Sequence, residues 1–334
     1  MTEQRPDPLT DPNRAPSREG VLRAAAKVGR ILPPTPLVPL DVDGVTVWCK
    51  AEMLQPIGAF KIRGAWHRLS DLDEAQRRAG VVAVSSGNHA QGVAWSARRL
   101  GISATIVMPN DAPIAKLEAT RALGANVVLY DRPGGEDRDA IAAALIGDSG
   151  RTMVHPFGDP WIIEGQGSLG IEAEEQLQIR TGEAFDTVVA CCGGGGLTSG
   201  LALALPETAV YAVEPEGWDD VCRSLASGAI QRVNNPPATA CDALQTPATF
   251  PLNFAVLQSR QVTGLTVTED EVSAAMRLTF ERLRLVVEPG GAAALAAVIA
   301  GKVPLGKATL VTLSGGNVDR EQFARMLAGE GSKT

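Results

Sequence analysis

The feature that most constrains this fold is a glycine-rich turn that recurs between an apolar, strand-like stretch and a helical pattern. Its three versions are Ser85–His89, Gly193–Leu197 and Ser314–Asn317. A strand, a short turn and a helix in succession are typical of parallel α/β units. The sequence therefore predicts an α/β protein in which three turns could converge on one ligand.

The hydrophobic pattern predicts further elements around these turns. The alternation of strand and helix is clearest over residues 81–147 and resumes around the glycine run. Thr268 and Glu271 match a capping box at a helix start, whereas residues 231–260 are expected to form an irregular surface excursion. The predicted strands cover 45–50, 81–84, 104–108, 126–130, 187–191, 210–213 and 308–313, and the predicted helices cover 18–28, 61–78, 89–100, 113–123, 137–146, 162–179, 268–284 and 290–300.

Composition disfavours several classes of protein. The chain has 334 residues and a formal net charge of −7, so nucleic acid is not an expected partner. No apolar run is long enough to cross a bilayer, and the polar N-terminus lacks the apolar centre of a signal peptide. The five cysteines follow no metal-ligand spacing, so buried reduced thiols and a cytoplasmic location are expected.

The four consecutive glycines predict a phosphate site. Backbone N–H groups at a helix N-terminus, unobstructed by side chains, bind anions. A flexible linker is the alternative, but the apolar strand and the helical pattern on either side disfavour it. Thr198 occupies the third glycine's place in a dinucleotide fingerprint and no Gly-Lys-Ser/Thr ending follows, so a monophosphate fits best.

Lys61 is the candidate reactive group, because it follows Phe60 and precedes a small-residue turn. A lysine taken alone is usually a solvated surface charge, and only its company with the three turns favours a chemical role. The Ser85–His89 turn adds hydroxyl and amide donors, which suit a carboxylate. An ordinary N-cap serine is the alternative for that turn.

Taken together, these motifs resemble the pyridoxal-phosphate enzymes of fold type II, the tryptophan synthase β group. Within that group the sequence is most similar to the serine/threonine dehydratases and serine racemases. The resemblance runs from about Thr35 to Asp319. Its motifs are, in order, Glu52–Ala65, Ser85–His89, Met108–Pro109, Ala112–Lys116, His155–Phe157, Gly165–Gly167, Gly193–Leu197, Val213–Pro215, Glu288–Ala292 and Ser314–Asp319.

The resemblance implies a role for each site residue. Lys61 would form the Schiff base with pyridoxal 5′-phosphate, Phe60 would pack on its ring, and Asn88 would meet its 3-hydroxyl. Ser314 would face the pyridine nitrogen and leave it unprotonated. The residues that would hold the phosphate are Gly193, Gly194, Gly195, Gly196 and Leu197. The residues that would bind the substrate carboxylate are Ser86, Gly87, Asn88 and His89.

The implied activity is elimination of water and then ammonia from a small β-hydroxy amino acid, serine or threonine first, to give a 2-oxo acid. Lys61 would remove the α-proton. Ser86 stands where racemases carry a serine opposite the lysine, so a serine racemase with dehydratase activity stays open, as does a 3-hydroxyaspartate dehydratase. A β-replacement synthase and a non-catalytic metabolite-binding protein are weaker alternatives.

The resemblance implies two further sites. Glu214 and Asp220, with the main-chain carbonyl of Trp218, match positions that bind magnesium or calcium, and oxygen ligands suit a hard cation. A surface acidic turn is the alternative there. Arg138 lies where some relatives carry an arginine that reaches a second substrate carboxylate, and a solvated helix position is its alternative.

The same resemblance implies the architecture, which is a tryptophan synthase β-like fold of two parallel-sheet α/β domains with the cofactor in the cleft. Residues 18–57 with 158–330 would form a large discontinuous domain, and residues 58–157 a smaller inserted one, after a disordered arm at 1–17. A homodimer is expected. The sequence departs from the residues usual in the family at Ala59, Trp66, His67, Phe157 and Ala243. All of these departures except Ala243 leave undecided which substrate side chain the protein prefers.

Overall fold

The computed structural model describes Leu9 and residues 11–112, 114–147 and 149–329. Its strands are β1 (Leu37–Val42), β2 (Val45–Ala51), β3 (Val81–Val84), β4 (Ala104–Pro109), β5 (Asn126–Tyr130), β6 (Thr152–Met153), β7 (Thr187–Cys191), β8 (Ala209–Pro215), β9 (Thr263–Val267) and β10 (Thr309–Leu313). Its α-helices are α1 (Arg18–Val28), α2 (Lys61–Ser70), α3 (Glu74–Ala79), α4 (Asn88–Leu100), α5 (Ile114–Ala122), α6 (Arg138–Gly147), α7 (Pro160–Thr181), α8 (Gly196–Ala204), α9 (Asp220–Ser227), α10 (Pro251–Ser259), α11 (Glu269–Leu278), α12 (Pro289–Ile299) and α13 (Arg320–Leu327).

Two sheets form the framework. The larger sheet has the strand order β1-β2-β10-β7-β8-β9, and the smaller has the order β5-β4-β3-β6. β1 and β2 pair antiparallel, and the other pairs of both sheets are parallel. The predicted α/β fold with two parallel-sheet units is therefore confirmed.

Each of the three glycine-rich turns follows a parallel strand. The first lies between β3 and α4, the second between β7 and α8, and the third directly after β10. β7 and β10 are neighbours in the larger sheet. Because the carboxyl ends of parallel strands lie at one edge of a sheet, the second and third turns open on the same side.

Local signals in the sequence set several helix ends. Thr268 and Glu271 form the predicted capping box at the start of α11, each side chain bonded to the backbone N–H of the other residue. Gly101 ends α4 in the left-handed conformation, with φ of 68°. α11 continues into a π-helical turn that ends at Arg284, where the sequence predicts the end of this helix.

Some predictions about local structure are wrong. The helix predicted over 61–78 is two helices, because α2 ends before Asp71 and Asp73 opens α3 with a capping box of its own. Residues 231–260 are not wholly irregular, since they contain α10. Pro251 opens α10 at a position where its missing N–H costs no hydrogen bond. The sequence also failed to predict β1, β6, β9, α9 and α13.

The N-terminal segment is attached to the body where the structure describes it. Residues 1–8 and 10 of the predicted disordered arm lie outside the described residues. The Arg14 guanidinium donates to the two carboxylate oxygens of Glu164 at 2.5 and 2.6 Å, and the Ser17 backbone N–H donates to the same carboxylate. Glu164 is fully buried in α7. Residues 14–17 therefore pack against the body and are not part of a loose arm.

The proposed division into a large and a small domain can be set beside the two sheets. The strands of the smaller sheet lie between residues 81 and 153, within the proposed 58–157 unit. The proposed units are in close contact, because a Cβ added to Gly165 of α7 would lie 2.4 Å from the Cα of Gly64 in α2. The exact boundaries stay a proposal.

The cysteines agree with the expectation that Cys191 and Cys192 are buried thiols. All five cysteines are free, and Cys191 and Cys192 are buried. Burial raises the pKa of Cys49 to about 12 and that of Cys191 to about 11, so neither is a ready thiolate. Among the described residues, the structure contains no helix of the length and apolarity needed to cross a membrane.

Candidate active site

A cavity of about 570 Å³ is lined by residues of both sheet units, and its volume is typical of a small-molecule site. Its wall includes each residue that the sequence predicts to touch cofactor or substrate, namely Phe60, Lys61, Ser86, Gly87, Asn88, His89, Arg138, Gly193, Gly194, Gly195, Gly196, Leu197 and Ser314. The structure therefore brings these residues together, although their individual roles stay predictions.

Lys61 is the first residue of α2, and its ammonium group lies in this cavity. Nζ donates to the backbone oxygen of Pro156 at 2.8 Å and lies 5.2 Å from the centroid of the Phe60 ring. Burial lowers the pKa of Lys61 from 10.5 to about 8, against a smaller opposing effect of Cys191. An amine that loses its proton near pH 8 can act as a nucleophile or a base.

The glycine run forms a backbone cradle in the cavity wall. α8 begins at Gly196, and the first N–H groups of a helix have no partner within it. Gly195 has φ of 90°, a conformation that favours glycine. A Cβ added to Gly194 would lie 2.3 Å from a ring carbon of Phe157, so no side chain fits there. Unobstructed N–H groups of this kind suit a phosphate.

Ser314 joins the third turn to the chain around Lys61. Its backbone oxygen accepts from the Phe60 backbone N–H at 3.0 Å. Its buried hydroxyl accepts from the Cys191 thiol at 3.2 Å. Both side chains line the cavity, and a neutral hydroxyl is therefore available to a ligand there.

The Ser85–His89 turn presents the N-terminus of α4 to the cavity. Ser86 and Gly87 are half-buried, and a Cβ added to Gly87 would meet nothing within 4 Å. The His89 ring points elsewhere, because its Nε2 donates to the Val154 oxygen at 2.9 Å. Burial lowers the pKa of His89 to about 3, so the ring is neutral. His89 can offer an anion its backbone N–H, but not a charged ring.

Comparison with known proteins identifies the family of this chain. Residues 30–315 match the model of the family described as pyridoxal-phosphate dependent enzyme. The chain belongs to this family. The resemblance predicted from the motifs is thereby confirmed.

Three relatives illustrate the similarity. The enzyme is 42% identical to an L-threo-3-hydroxyaspartate ammonia-lyase of a Pseudomonas species, over 94% of this chain and 99% of that protein. It is 38% identical to a serine racemase of Schizosaccharomyces pombe, over 94% of this chain and 98% of that protein. It is similar to the solved threonine deaminase of T.th., with a TM-score of 0.83, 40% identity, and coverage of 91% of this chain and 99% of that one.

Pyridoxal phosphate fits the residues present in the cavity. The glycine run offers backbone N–H groups and has no room for a side chain at Gly194. Lys61 offers a desolvated amine, and Ser314 a neutral hydroxyl, from the same cavity wall. A phosphate, an aldehyde and a ring nitrogen would each find a chemically suitable partner.

The enzyme's cavity also contains residues that the sequence reasoning missed. Thr249 and Phe250 lie in its wall, although both belong to the stretch expected to be a surface excursion. The Thr249 hydroxyl donates to the Gly194 backbone oxygen at 3.1 Å, and its backbone N–H donates to Asp220 Oδ2 at 2.6 Å. A threonine in a polar, irregular stretch belongs to no motif, so no sequence signal could have found it.

The predicted cation ligands lie outside the cavity wall. Glu214 is buried and accepts from the backbone N–H groups of Val221 and Cys222 at 3.1 and 2.7 Å. Burial raises the pKa of Asp220 to about 7, and its buried Oδ1 has no hydrogen-bond partner among the described residues. An unpartnered carboxylate oxygen fits a hard cation. Among the described residues, no group of three His, Cys, Asp or Glu side chains is arranged to hold a metal ion, so the Trp218 carbonyl would have to contribute.

Positive charge lies at the exposed side of the cavity. Arg138 opens α6 and is exposed, with Nε 3.8 Å from Oδ1 of the adjacent Asp139. Arg232, which the sequence reasoning also missed, lines the same cavity and is exposed. Lys116 is there as well, bonded to Asp242. The arrangement can attract a substrate that carries more than one carboxylate.

Proposed function

We propose that the enzyme is a pyridoxal-phosphate-dependent dehydratase that removes water and then ammonia from a small β-hydroxy amino acid to give a 2-oxo acid. The observation that carries this proposal is the desolvated Lys61 amine in one cavity with the glycine run and Ser314. The activities named for two relatives, an ammonia-lyase and a threonine deaminase, support it.

The cofactor would be held by groups from the three turns together with Phe60 and Lys61. Gly193–Leu197 would bind its phosphate, Ser314 its ring nitrogen, Asn88 its 3-oxygen and Lys61 its aldehyde carbon, with Phe60 beside the ring. Bound pyridoxal phosphate supplies an electron sink for negative charge at the substrate α-carbon. A hydroxyl opposite the ring nitrogen carries no negative charge, so it would not stabilise a protonated ring.

Lys61 would act as the base at the α-carbon. Its pKa near 8 leaves a useful fraction of neutral amine near neutral pH, because the cavity desolvates the ammonium form. The Pro156 oxygen holds one of its N–H bonds and so orients the lone pair. The α4 N-terminus, through Ser86, Gly87, Asn88 and His89, would bind the substrate carboxylate and fix the α-proton within reach of Lys61.

A substrate panel tests this proposal. Purified wild-type protein should be yellow, and it should release 2-oxo acid and ammonia in equal amounts from serine, threonine or 3-hydroxyaspartate. Lys61→Ala should remove both the release and the borohydride-stable attachment of the cofactor. Colourless protein that acts on none of these compounds would contradict the proposal.

Serine racemisation is a second candidate activity at this site. The observation that favours it is the half-buried Ser86 in the cavity wall, where its hydroxyl could return a proton to the α-carbon. The expected result is that Ser86→Ala abolishes formation of D-serine from L-serine and that Ser86→Thr retains it. Formation of D-serine at the wild-type rate by Ser86→Ala would exclude this role.

The charge at the cavity mouth favours 3-hydroxyaspartate as one of the substrates. A guanidinium can hold a second carboxylate by paired hydrogen bonds. Arg138→Ala should therefore raise KM for 3-hydroxyaspartate about tenfold and leave KM for serine within twofold. Arg132→Ala is the matched control, because Arg132 is exposed and pairs with Asp111 outside the cavity. Equal effects of Arg138→Ala on both substrates would remove Arg138 from recognition.

We also propose that Glu214, Asp220 and the Trp218 carbonyl bind Mg²⁺ or Ca²⁺. Asp220 reaches the glycine run through Thr249, so an occupied site would stabilise the cofactor cradle. Addition of Mg²⁺ to chelator-treated enzyme should raise Tm by several degrees, and Asp220→Asn should abolish the increase. If Asp220→Asn showed the full increase of Tm, the cation would bind elsewhere.

A homodimer in the cytoplasm is the proposed working form. The cytoplasm is proposed because five free cysteines suit a reducing compartment. The homodimer is proposed because large apolar side chains are exposed on one part of the surface. Leu54, Phe280 and Val286 are 51%, 43% and 43% exposed. A Cβ on Gly316 would lie 2.7 Å from the Val286 oxygen and 2.9 Å from Met53 Cβ. The segment that carries Leu54 and the segment that carries Val286 are therefore adjacent. Phe280→Glu should yield monomers in sedimentation equilibrium, whereas Ile179→Glu, at an exposed site on α7, should not.

A further inference from the structure

Three side chains from separate motifs form a cluster at the cavity, which we name the amide clamp: Asn88, Glu288 and Asn317. Asn88 Nδ2 donates to Glu288 Oε1 at 2.7 Å. Asn317 Nδ2 donates to Asn88 Oδ1 at 2.8 Å. Together these bonds fix the orientation of the Asn88 amide, because exchanging its oxygen and nitrogen would set acceptor against acceptor and donor against donor.

The amide clamp leaves one hydrogen-bonding group of Asn88 free. A side-chain amide has two N–H donors and one oxygen. The oxygen is taken by Asn317, and Glu288 takes one N–H. Within the described residues the second N–H has no bonded acceptor, and both Asn88 and Glu288 line the cavity. That donor is therefore available to a ligand in the cavity.

The surroundings hold the amide clamp in one arrangement. Asn317 Nδ2 also donates to the Ile57 backbone oxygen at 2.8 Å. Glu288 is 2% exposed and its backbone N–H donates to the Gly315 oxygen at 2.9 Å. A Cβ on Gly315 would lie 2.3 Å from Glu288 Oε1, so only glycine leaves room for the Asn88–Glu288 bond.

The ionisation of Glu288 does not decide whether the clamp forms. Burial raises the pKa of Glu288 to about 7, with the charge of Asp242 as the next cause. The carboxylate accepts from Asn88, and so does the carbonyl oxygen of the protonated acid. A glutamine at this position keeps an acceptor oxygen of the same reach, whereas leucine has none.

We propose that Glu288 and Asn317 are positioning residues that orient the Asn88 amide so that its free N–H binds the 3-oxygen of pyridoxal phosphate. This inference rests on the proposed function only insofar as the cavity must hold that cofactor. It predicts that Glu288 and Asn317 act on the cofactor through Asn88. Substitution of either residue should therefore have no separate effect on cofactor binding once the Asn88 side chain is removed.

The experiment measures the dissociation constant of pyridoxal phosphate and the position of its visible absorption band in reconstituted enzyme. Glu288→Leu should weaken cofactor binding about tenfold and shift the band. Glu288→Gln should stay within about threefold of wild type with an unshifted band. Glu288→Gln is therefore also the control for charge, because it removes the ionisable group and keeps the acceptor oxygen.

A double-mutant cycle separates positioning from a general loss of packing. In the Asn88→Ala background, Glu288→Leu should add less than a further twofold loss of cofactor affinity. Asn317→Asp is a second route, since it puts an acceptor against both Asn88 Oδ1 and the Ile57 oxygen. It should reproduce the band shift even if Glu288→Leu fails to fold.

The outcomes distinguish this inference from the proposed function. Yellow, active wild-type enzyme with an unshifted band in both Glu288→Leu and Asn317→Asp would overturn the amide clamp alone. Independent effects of Glu288→Leu and Asn88→Ala would do the same. A colourless wild-type protein that fails to bind pyridoxal phosphate would overturn the proposed function instead.

Discussion

The pKa values of Lys61, His89 and His155 in the cavity are shifted more by burial than by ion pairs. Burial is the largest cause of the lowered pKa of Lys61, about 8. It also lowers the pKa of His89 to about 3 and that of His155 to about 4, with the charge of Lys61 as the next cause in both. The two histidines are therefore neutral near pH 7 and do not add positive charge beside the amine.

The lowered pKa of Lys61 predicts an early onset of amine reactivity in enzyme freed of cofactor. A free lysine becomes neutral near pH 10.4, but the neutral form of Lys61 appears as pH rises through about 8. Modification by an amine-selective reagent, followed by mass mapping, should show a midpoint near pH 8 at residue 61. In the same pH range Lys61→Arg should show no modification there, and a midpoint above pH 10 in the wild type would refute the desolvated site.

Residues differ in how far the sequence could predict them. That Lys61, the glycine run and Ser314 share one cavity was predictable, because each belongs to a short motif that follows a strand. Glu288 and Asn317 also lie in motifs, but their contact with Asn88 joins positions 200 and 229 residues apart. Local patterns contain no information about such distances, so the amide clamp emerged only from the fold.

At the scale of elements, three helices cross with their backbones in near contact. A Cβ on Gly165 of α7 would lie 2.4 Å from Gly64 Cα in α2, and a Cβ on Gly200 of α8 would lie 2.5 Å from the Gly167 nitrogen. Small residues at both crossings let α7 pack tightly against α2 and α8. Lys61 begins α2, so the crossing helps to set where its amine enters the cavity.

Gly165→Ala should destabilise the protein, because the added methyl group meets backbone atoms that cannot rotate away. Overpacking of this kind costs about 1–3 kcal/mol, which denaturant unfolding can measure. Gly147→Ala is the control, since Gly147 is also helical and an added Cβ would meet nothing within 4 Å. Equal stabilities of the two variants would show that α2 and α7 separate easily.

The elements that were predicted and those that were missed differ in their signals. β3, β5 and β7 are short apolar runs between turn residues, and their predicted bounds match the structure. α10 was missed because its stretch is rich in proline and polar residues, although it buries Val256 and Leu257. Its burial depends on packing against distant parts of the chain, and the hydrophobic periodicity of the segment itself does not indicate such packing.

For the molecule as a whole, buried ion pairs connect the N-terminal segment with the core. The Arg14 guanidinium lies 4.7 Å from the centroid of the Trp161 ring, in addition to its pair with Glu164. Asp71 at the end of α2 accepts from Arg23 of α1 and from the Trp161 indole N–H. These contacts join α1, α2 and α7 into one unit.

Breaking the Arg14–Glu164 pair should have a large effect on stability. Arg14→Met leaves a buried carboxylate without its partner, which costs about 3–5 kcal/mol. Unfolding of the Arg14→Met/Glu164→Leu double variant should show a smaller loss, because no unpaired charge remains. Arg78→Met is the control, since its partner Glu74 is exposed and such pairs contribute about 0–1 kcal/mol. A loss of similar size in both single variants would contradict a buried pair.

The position of β10 in the larger sheet has a consequence for synthesis. This strand is the last of its sheet along the chain, yet it lies between β2 and β7. A nascent polypeptide that has emerged from the ribosome only as far as β9 lacks both the strand that joins the two halves of that sheet and the turn that carries Ser314. The pocket therefore cannot assemble step by step during translation, and loading of the vitamin-derived group has to wait for nearly the whole chain.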